Sequence, residues 1–265
     1  MTVFLALACC GMTQLSDGVW RMHSRFRHAI NLANQEGALL SFYRAGKGIG
    51  PGGFLFARGD FDRLLALPDS DFQLLKRGNQ LRGARLQIAA RRELLLTMAP
   101  GMPCFPDLAP YAVPTGLCGP LNQRQTDAVA VHLLKAGLTR WASGETPDWC
   151  GLVGLGPGLT PSGDDMLVGA LAVLYTSHFR DLMRRRDLLP PPDQLARLTT
   201  SVSCSYLNSA RNGCFSLPVL RLMRDLQRGR QATPAISRLT SFGHTSGADL
   251  LAGIVTALYW LTERG

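Results

Sequence analysis

The sequence predicts an α+β protein, with a mostly β N-terminal domain over residues 1–115 and a mostly helical C-terminal domain over residues 116–265. Three observations carry that reading. Short runs rich in aromatic and branched residues, punctuated by Gly, fill residues 19–88, as strands do. Residues 97–120 hold six Pro with Gly among them, the mark of a connection without regular structure. Beyond them, longer apolar stretches are closed by helix-stop signals. The chain of 265 residues can bury a sizeable core. Its 46% hydrophobic and 18% charged residues argue against disorder.

The elements follow in order. Val3 to Cys10 is apolar with no Lys or Arg before it, so it lacks the basic start of a signal peptide. It is also far too short to span a bilayer, and reads as an opening strand or helix. Val19–Phe26, Ala38–Tyr43, Phe54–Phe56 and Leu86–Ile88 read as strands of a barrel-like or sandwich-like domain. Gly46 to Gly53 joins the second and third of these and needs the φ freedom of Gly. A plain hairpin turn explains that loop, and an anion contact through Lys47 is the other reading. Phe61–Leu67 and Phe72–Leu75 are ambiguous. Helices are expected at Leu121–Ala136 with Gly137 closing it, at Asp164–Phe179, and at Asp193–Arg211 ended by Asn212-Gly213. Two more are expected at Leu217–Arg228 before Gly229 and at Ala248 to about Glu263. A basic, Pro-rich turn fills Arg184–Pro192, and Ala235–Leu239 is a short turn after Thr233-Pro234.

Charge and cysteine content exclude several functions. The net charge of +9 is clustered, as in Arg82, Arg85, Arg91 and Arg92 or Arg184–Arg186. These clusters lack aromatic interleaving and any nucleic-acid motif, so they read as solvated faces or a surface for an acidic partner subunit. The seven Cys form no Cys-x-x-Cys pair, which argues against a zinc cage and fits a reducing cytoplasm.

The densest stretch is Gly154-Leu-Gly-Pro-Gly-Leu-Thr-Pro-Ser-Gly-Asp-Asp-Met-Leu-Val-Gly169. An echo lies 84 residues on, where Ser246, Gly247, Asp249, Leu251 and Gly253 match Ser162, Gly163, Asp165, Leu167 and Gly169. Two similar loop-helix units are expected, related by a pseudo-two-fold axis with their loops converging; helix-start chemistry that recurs by itself is the alternative. Ser-x-x-Asp before an apolar run is a capping box, which by itself explains Ser162, Asp165, Ser246 and Asp249. Capping does not explain Gly154, Gly156, Gly158 or Asp164, whose counterpart is Ala248.

A Gly-rich loop entering a helix exposes amides to an anion such as phosphate. Gly156, Gly158, Thr160 and Ser162, with Ser246 and Asp249 from the second unit, are therefore candidate substrate contacts. Asp164 and Asp165 are candidates to hold Mg2+ or the amide of a substrate, with Asp164 preferred as the functional acid. His244 in the second loop is a candidate proton carrier, and a structural His is the alternative. Asn208, sharing a helix face with Ser205 and Ser209, could line the site or be solvated. The stretch has neither the Gly-Lys-Ser/Thr of a P-loop nor the spacing of a dinucleotide fingerprint.

These two signatures, with the segment from Gly37-Ala-Leu-Leu40 to Gly50-Pro-Gly-Gly53, resemble the AllH family, whose namesake is a subunit of oxamate carbamoyltransferase. The resemblance implies a cytoplasmic protein working with an FdrA-like and a larger companion subunit, and a homo-oligomer is compatible with it. It implies transfer of a carbamoyl group between oxamate and phosphate, giving carbamoyl phosphate in the catabolic direction. It leaves open whether this chain is catalytic or a non-catalytic anion-binding, regulatory or assembly subunit.

Overall fold

The computed structural model describes residues 1–123, 126–230 and 232–264. It divides into two compact units, Met1–Leu96 and Thr97–Gly265. The chain is α+β, with β structure first and helices after.

In the first unit the strands are β1 (Thr2–Ala6), β2 (Ala8–Cys10), β3 (Gly18–Arg25), β4 (Ala29–Ala33), β5 (Leu39–Arg44), β6 (Gly53–Phe56), β7 (Leu74–Arg77), β8 (Gln80–Arg82), β9 (Leu86–Ala90) and β10 (Glu93–Leu94). Helix α1 (Arg58–Leu65) lies between β6 and β7. The sheet runs in the order β1-β9-β8-β7-β3-β4-β5-β6-β2-β10. β1 stands at one end and β2 beside the other, yet only Leu7 separates them. The ends of the sheet therefore meet, and the sheet curls on itself. β9 and β10 run parallel to β1 and β2 in the same way. Inside the curl, Trp20, Phe42, Phe54, Phe56 and Phe72 are fully buried, and α1 adds Phe61 and Leu64. Phe42 meets Phe54 edge-on at 5.9 Å, a favoured aromatic geometry.

Some elements differ from expectation for identifiable reasons. The hairpin reading of the Gly46–Gly53 loop does not hold, because β5 and β6 are parallel neighbours in register Ser41↔Gly53 to Arg44↔Phe56. Gly53 is needed because a Cβ there would lie 2.5 Å from the Ser41 carbonyl. The ambiguous stretches become α1 and, after a 3-10 turn at Asp69–Phe72, β7. β4 escapes a pattern search because Asn31 sits buried within it. The amide of Asn31 is satisfied by the Ser24 and Ser41 hydroxyls at 3.1 and 2.8 Å.

The second unit holds α2 (Val129–Ser143), α3 (Ser162–Thr176), α4 (Arg180–Arg185), α5 (Pro192–Leu198), α6 (Ser201–Arg211), α7 (Leu217–Gln227), α8 (Thr233–Thr240) and α9 (Ser246–Thr262). α2 starts later than expected and runs through Gly137, where the Trp149 ring packs so closely that a Cβ would meet it at 2.3 Å. That glycine marks close packing, whereas Gly144 with φ 102 ends the helix. The helix expected over Asp193–Arg211 is two helices. It breaks at Thr199-Thr200, where Thr200 caps α6 by accepting from the Ser203 amide at 3.1 Å.

Residues 97–120, read from the sequence as an interdomain connection, run along the helical unit. The Met98, Gly101 and Cys104 amides donate to the carbonyls of Gly213, Thr176 and Leu226 at 3.0, 2.9 and 3.1 Å. The division accordingly falls at Leu96/Thr97 rather than 115/116. Among the described residues no helix is long and apolar enough to cross a membrane.

At the centre, α3 and α9 cross in close contact, and every residue of α3 is buried. A Cβ on Gly169 would meet the Leu250 carbonyl at 2.1 Å, and one on Gly253 would meet the Met166 carbonyl at 2.0 Å. The two contacts are reciprocal, since Gly169 and Gly253, like Met166 and Leu250, are matching positions of the two units. The echo in the sequence is thus a pseudo-two-fold pair in space.

Candidate functional site

The crossing brings the starts of α3 and α9 together, and the Thr160 and Ser246 hydroxyls meet at 2.7 Å. The preceding loops are built alike. The Gly163 amide donates to the Leu155 carbonyl and the Gly247 amide to the Phe242 carbonyl, at 2.9 and 3.2 Å. A Cβ on Gly163 would meet the Leu152 carbonyl at 2.0 Å, and one on Gly247 the Leu239 carbonyl at 1.9 Å. Gly156 and Gly243 follow the two accepting carbonyls, and both have positive φ, at 112° and 59°. Gly243 is therefore the counterpart of Gly156. The match is hidden in the sequence because Gly156 stands six residues before its Ser and Gly243 only three.

The side-chain caps expected of Ser162 and Ser246 do not form. Both residues lie within the first turn, while Pro161 and Thr245 occupy the N-cap positions without a side-chain cap bond. The carboxylates of the first turns are turned to other uses.

Asp164 is fully engaged. One carboxylate oxygen accepts from the Gly154 amide at 2.9 Å, and the other from the Thr199 hydroxyl. The side chain ties the start of the Gly-rich loop to the α5–α6 break. Burial pushes its pKa up, against the pull of the Thr199 hydroxyl and the Gly154 amide.

Asp165 and Asp249 differ from it. Asp249 is 0% exposed, and its Oδ1 accepts from the Gly116 amide at 2.8 Å. Asp165 is 7% exposed, with the Ser246 and Thr160 hydroxyls beside it. Each keeps a buried Oδ2 without a hydrogen-bond partner among the described residues. Burial pushes the Asp165 carboxyl well above the usual range. The Ser246 and Thr160 hydroxyls oppose that shift, and the charges of Asp249 and Asp164 add to it.

The loop itself offers donors. The backbone amides of Gly156, Gly158, Leu159 and Thr160 donate to no backbone acceptor among the described residues. Gly158 and Leu159 are exposed, Gly156 and Thr160 half-buried. Thr200 anchors the far side of the loop by donating its hydroxyl to the Leu159 carbonyl. Amides without a backbone acceptor at a helix start, next to a second helix start, are donors that favour an anion.

The remaining sequence-predicted residues sit further out. His244 is exposed on the loop before α9. Asn208 lies two turns beyond Thr200 on α6, with a buried Oδ1 lacking a partner among the described residues, and none of its hydrogen bonds reaches either loop. No group of three or more His, Cys, Asp or Glu among the described residues is placed to hold a metal ion. Thr199, Thr200 and Gly116 are contributors that sequence reasoning missed. Gly116 and Asp249 are 133 residues apart, and nothing local marks their contact.

Residues 152–258 match the family model described as oxamate carbamoyltransferase subunit AllH. The match spans both loops, all of α3, and α9 as far as Leu258. No solved structure matches the chain.

Proposed function

We propose, from the match of residues 152–258 to the AllH family model, that this chain is the anion-binding subunit of a carbamoyl- or acyl-transferase acting on a small oxamate-type acid with phosphate or carbamoyl phosphate. The observation that supports this reading is the row of amides at Gly156, Gly158, Leu159 and Thr160 with no backbone acceptor among the described residues, set where two helix starts converge. Donors fixed in place before the reaction stabilise negative charge that develops during transfer, with no covalent intermediate on the protein. Phosphate or the phosphoryl end of carbamoyl phosphate would sit against these amides, with the Thr160 and Ser162 hydroxyls alongside.

A second reading, a binding or regulatory subunit without chemistry of its own, is favoured by the full engagement of Asp164. Companion subunits would then carry the reacting groups.

Gly158→Val separates the reading from a purely structural loop. Gly158 has φ 97 and open space around its Cβ position, so the substitution strains the loop without disturbing the core. The expected result is phosphate binding weakened by at least about tenfold in calorimetry, roughly 1.4 kcal/mol, with the helical unit still folded. Unchanged phosphate affinity would overturn the anion site. Turnover of the reconstituted complex decides between catalytic and binding subunits: loss with the complex still assembled supports catalysis at this loop.

A further inference from the structure

Asp165 and Asp249 raise a separate question. They occupy the same position in the first turns of two helices that cross through Gly169 and Gly253. Both are more than nine-tenths buried, and each has one oxygen without a partner among the described residues. Buried polar atoms are nearly always hydrogen-bonded, and an unpaired buried carboxylate oxygen is costly. Two such oxygens from matching positions of the two units are left without a hydrogen-bond partner among the described residues. Asp164 does not share this property, because both its oxygens are engaged. Metal coordination suits the pair poorly, since no third His, Cys, Asp or Glu joins it among the described residues. A nitrogen bearing two N–H donors is the simplest complement.

The surroundings supply a route. A cleft of about 260 Å³ is lined by Ala252, Thr256 and Tyr259 of α9, with Val131 of α2 and with Thr115 and Cys118 of the preceding segment. Asp249, Ala252, Thr256 and Tyr259 are spaced three or four apart, so they share one face of α9. Asp249 thus lies one turn before Ala252, the first residue of α9 that lines the cleft. Thr115 and Cys118 flank Gly116, whose amide holds Asp249. The Cys118 thiol is pushed up to about 11 by burial and by the charge of Asp249.

We propose that Asp165 and Asp249 together form the receptor for a primary amide nitrogen of the substrate, each accepting one N–H, with the cleft along α9 as the way in. This rests on the carbamoyl-transfer reading above and assigns the amide end of the substrate to a place distinct from the loop amides.

The test compares oxamate with oxalate by calorimetry on the full chain. Oxalate has the same shape with an acceptor in place of the amide nitrogen. The expected result is a preference for oxamate of at least about tenfold, with no requirement for Mg2+. Asp249→Asn, which supplies a donor at the same position, should abolish or invert that preference while inorganic phosphate binds as in the wild type.

Equal binding of oxamate and oxalate by the wild type, or binding of neither, overturns the proposal even if the variant fails to fold. So does oxamate binding that needs Mg2+, or binding of ammonium in place of the amide with the same Asp249 dependence. Loss of phosphate binding in Gly158→Val with the oxamate preference intact supports both sites. Wild-type preference for oxamate without any phosphate binding sinks the anion reading alone.

Discussion

Among the three first-turn carboxylates, chain position says little about role. Asp164 and Asp165 are neighbours in sequence, yet one is consumed by Gly154 and Thr199 while the other keeps an oxygen without a partner among the described residues, close enough to Asp249 to feel its charge. The difference has a consequence for stability. The folded-state pKa of Asp165 lies above its unfolded value, so the folded chain holds a proton that the unfolded chain has lost. The resulting stability is fully present below the ordinary carboxylate pKa of about 4 and is lost as pH rises through the raised folded value. Asp164 acts in the same direction. Asp165→Asn removes the titration with little change of shape. In thermal unfolding between pH 5 and 8, the midpoint of this variant relative to wild type should rise with pH by at least about 2 °C. A difference independent of pH would show that Asp165 titrates like an exposed carboxylate.

The decisive elements are α3 and α9, and what joins them is backbone. Their reciprocal glycine contacts let two helix starts approach closely enough for Thr160 to reach Ser246. A methyl group at either glycine would run into a main-chain carbonyl, which cannot rotate away as a side chain can. Gly253→Ala is therefore expected to cost more than about 2 kcal/mol, as overpacking against rigid neighbours does. Chemical denaturation measures this directly, and a cost below about 0.5 kcal/mol, the range of a surface substitution, would contradict the crossing. The repeat was legible in the sequence because Ser, Gly, Asp and Gly recur at fixed spacing. The expected side-chain caps were not realised, because a capping box describes only local hydrogen bonds. Here the convergence of two helices redirects the same carboxylates, Asp249 toward Gly116 and Asp165 toward the Ser246 and Thr160 hydroxyls.

At the scale of the whole chain, the order of β structure before helices followed from the change in residue pattern. The place of the division did not. Pro-rich composition makes residues 97–120 resemble a connection, yet the amides of Met98, Gly101 and Cys104 are spent on carbonyls of the helices and the segments that follow them. A fragment of residues 97–265 should unfold cooperatively, as judged by far-UV circular dichroism. One of residues 116–265, stripped of the contacts to Gly213, Thr176 and Leu226, should lose several degrees of midpoint or cooperativity. Equal behaviour of the two fragments would return residues 97–115 to the role of a linker.

What the sequence by itself determined was local: the α+β order, the Gly-rich loop and the two matching loop-helix units. Hydrophobic period, Gly and Pro act over a few residues, and those features need nothing more. Only the tertiary structure decided that β5 and β6 run parallel, that Gly243 answers Gly156, and that Asp165 and Asp249 rather than Asp164 keep free oxygens. Those outcomes depend on partners far away in the chain, such as Gly116 for Asp249 and Thr199 for Asp164. A carboxylate is available to a ligand only when folding has left it without a donor, and that is settled by the whole set of contacts around it.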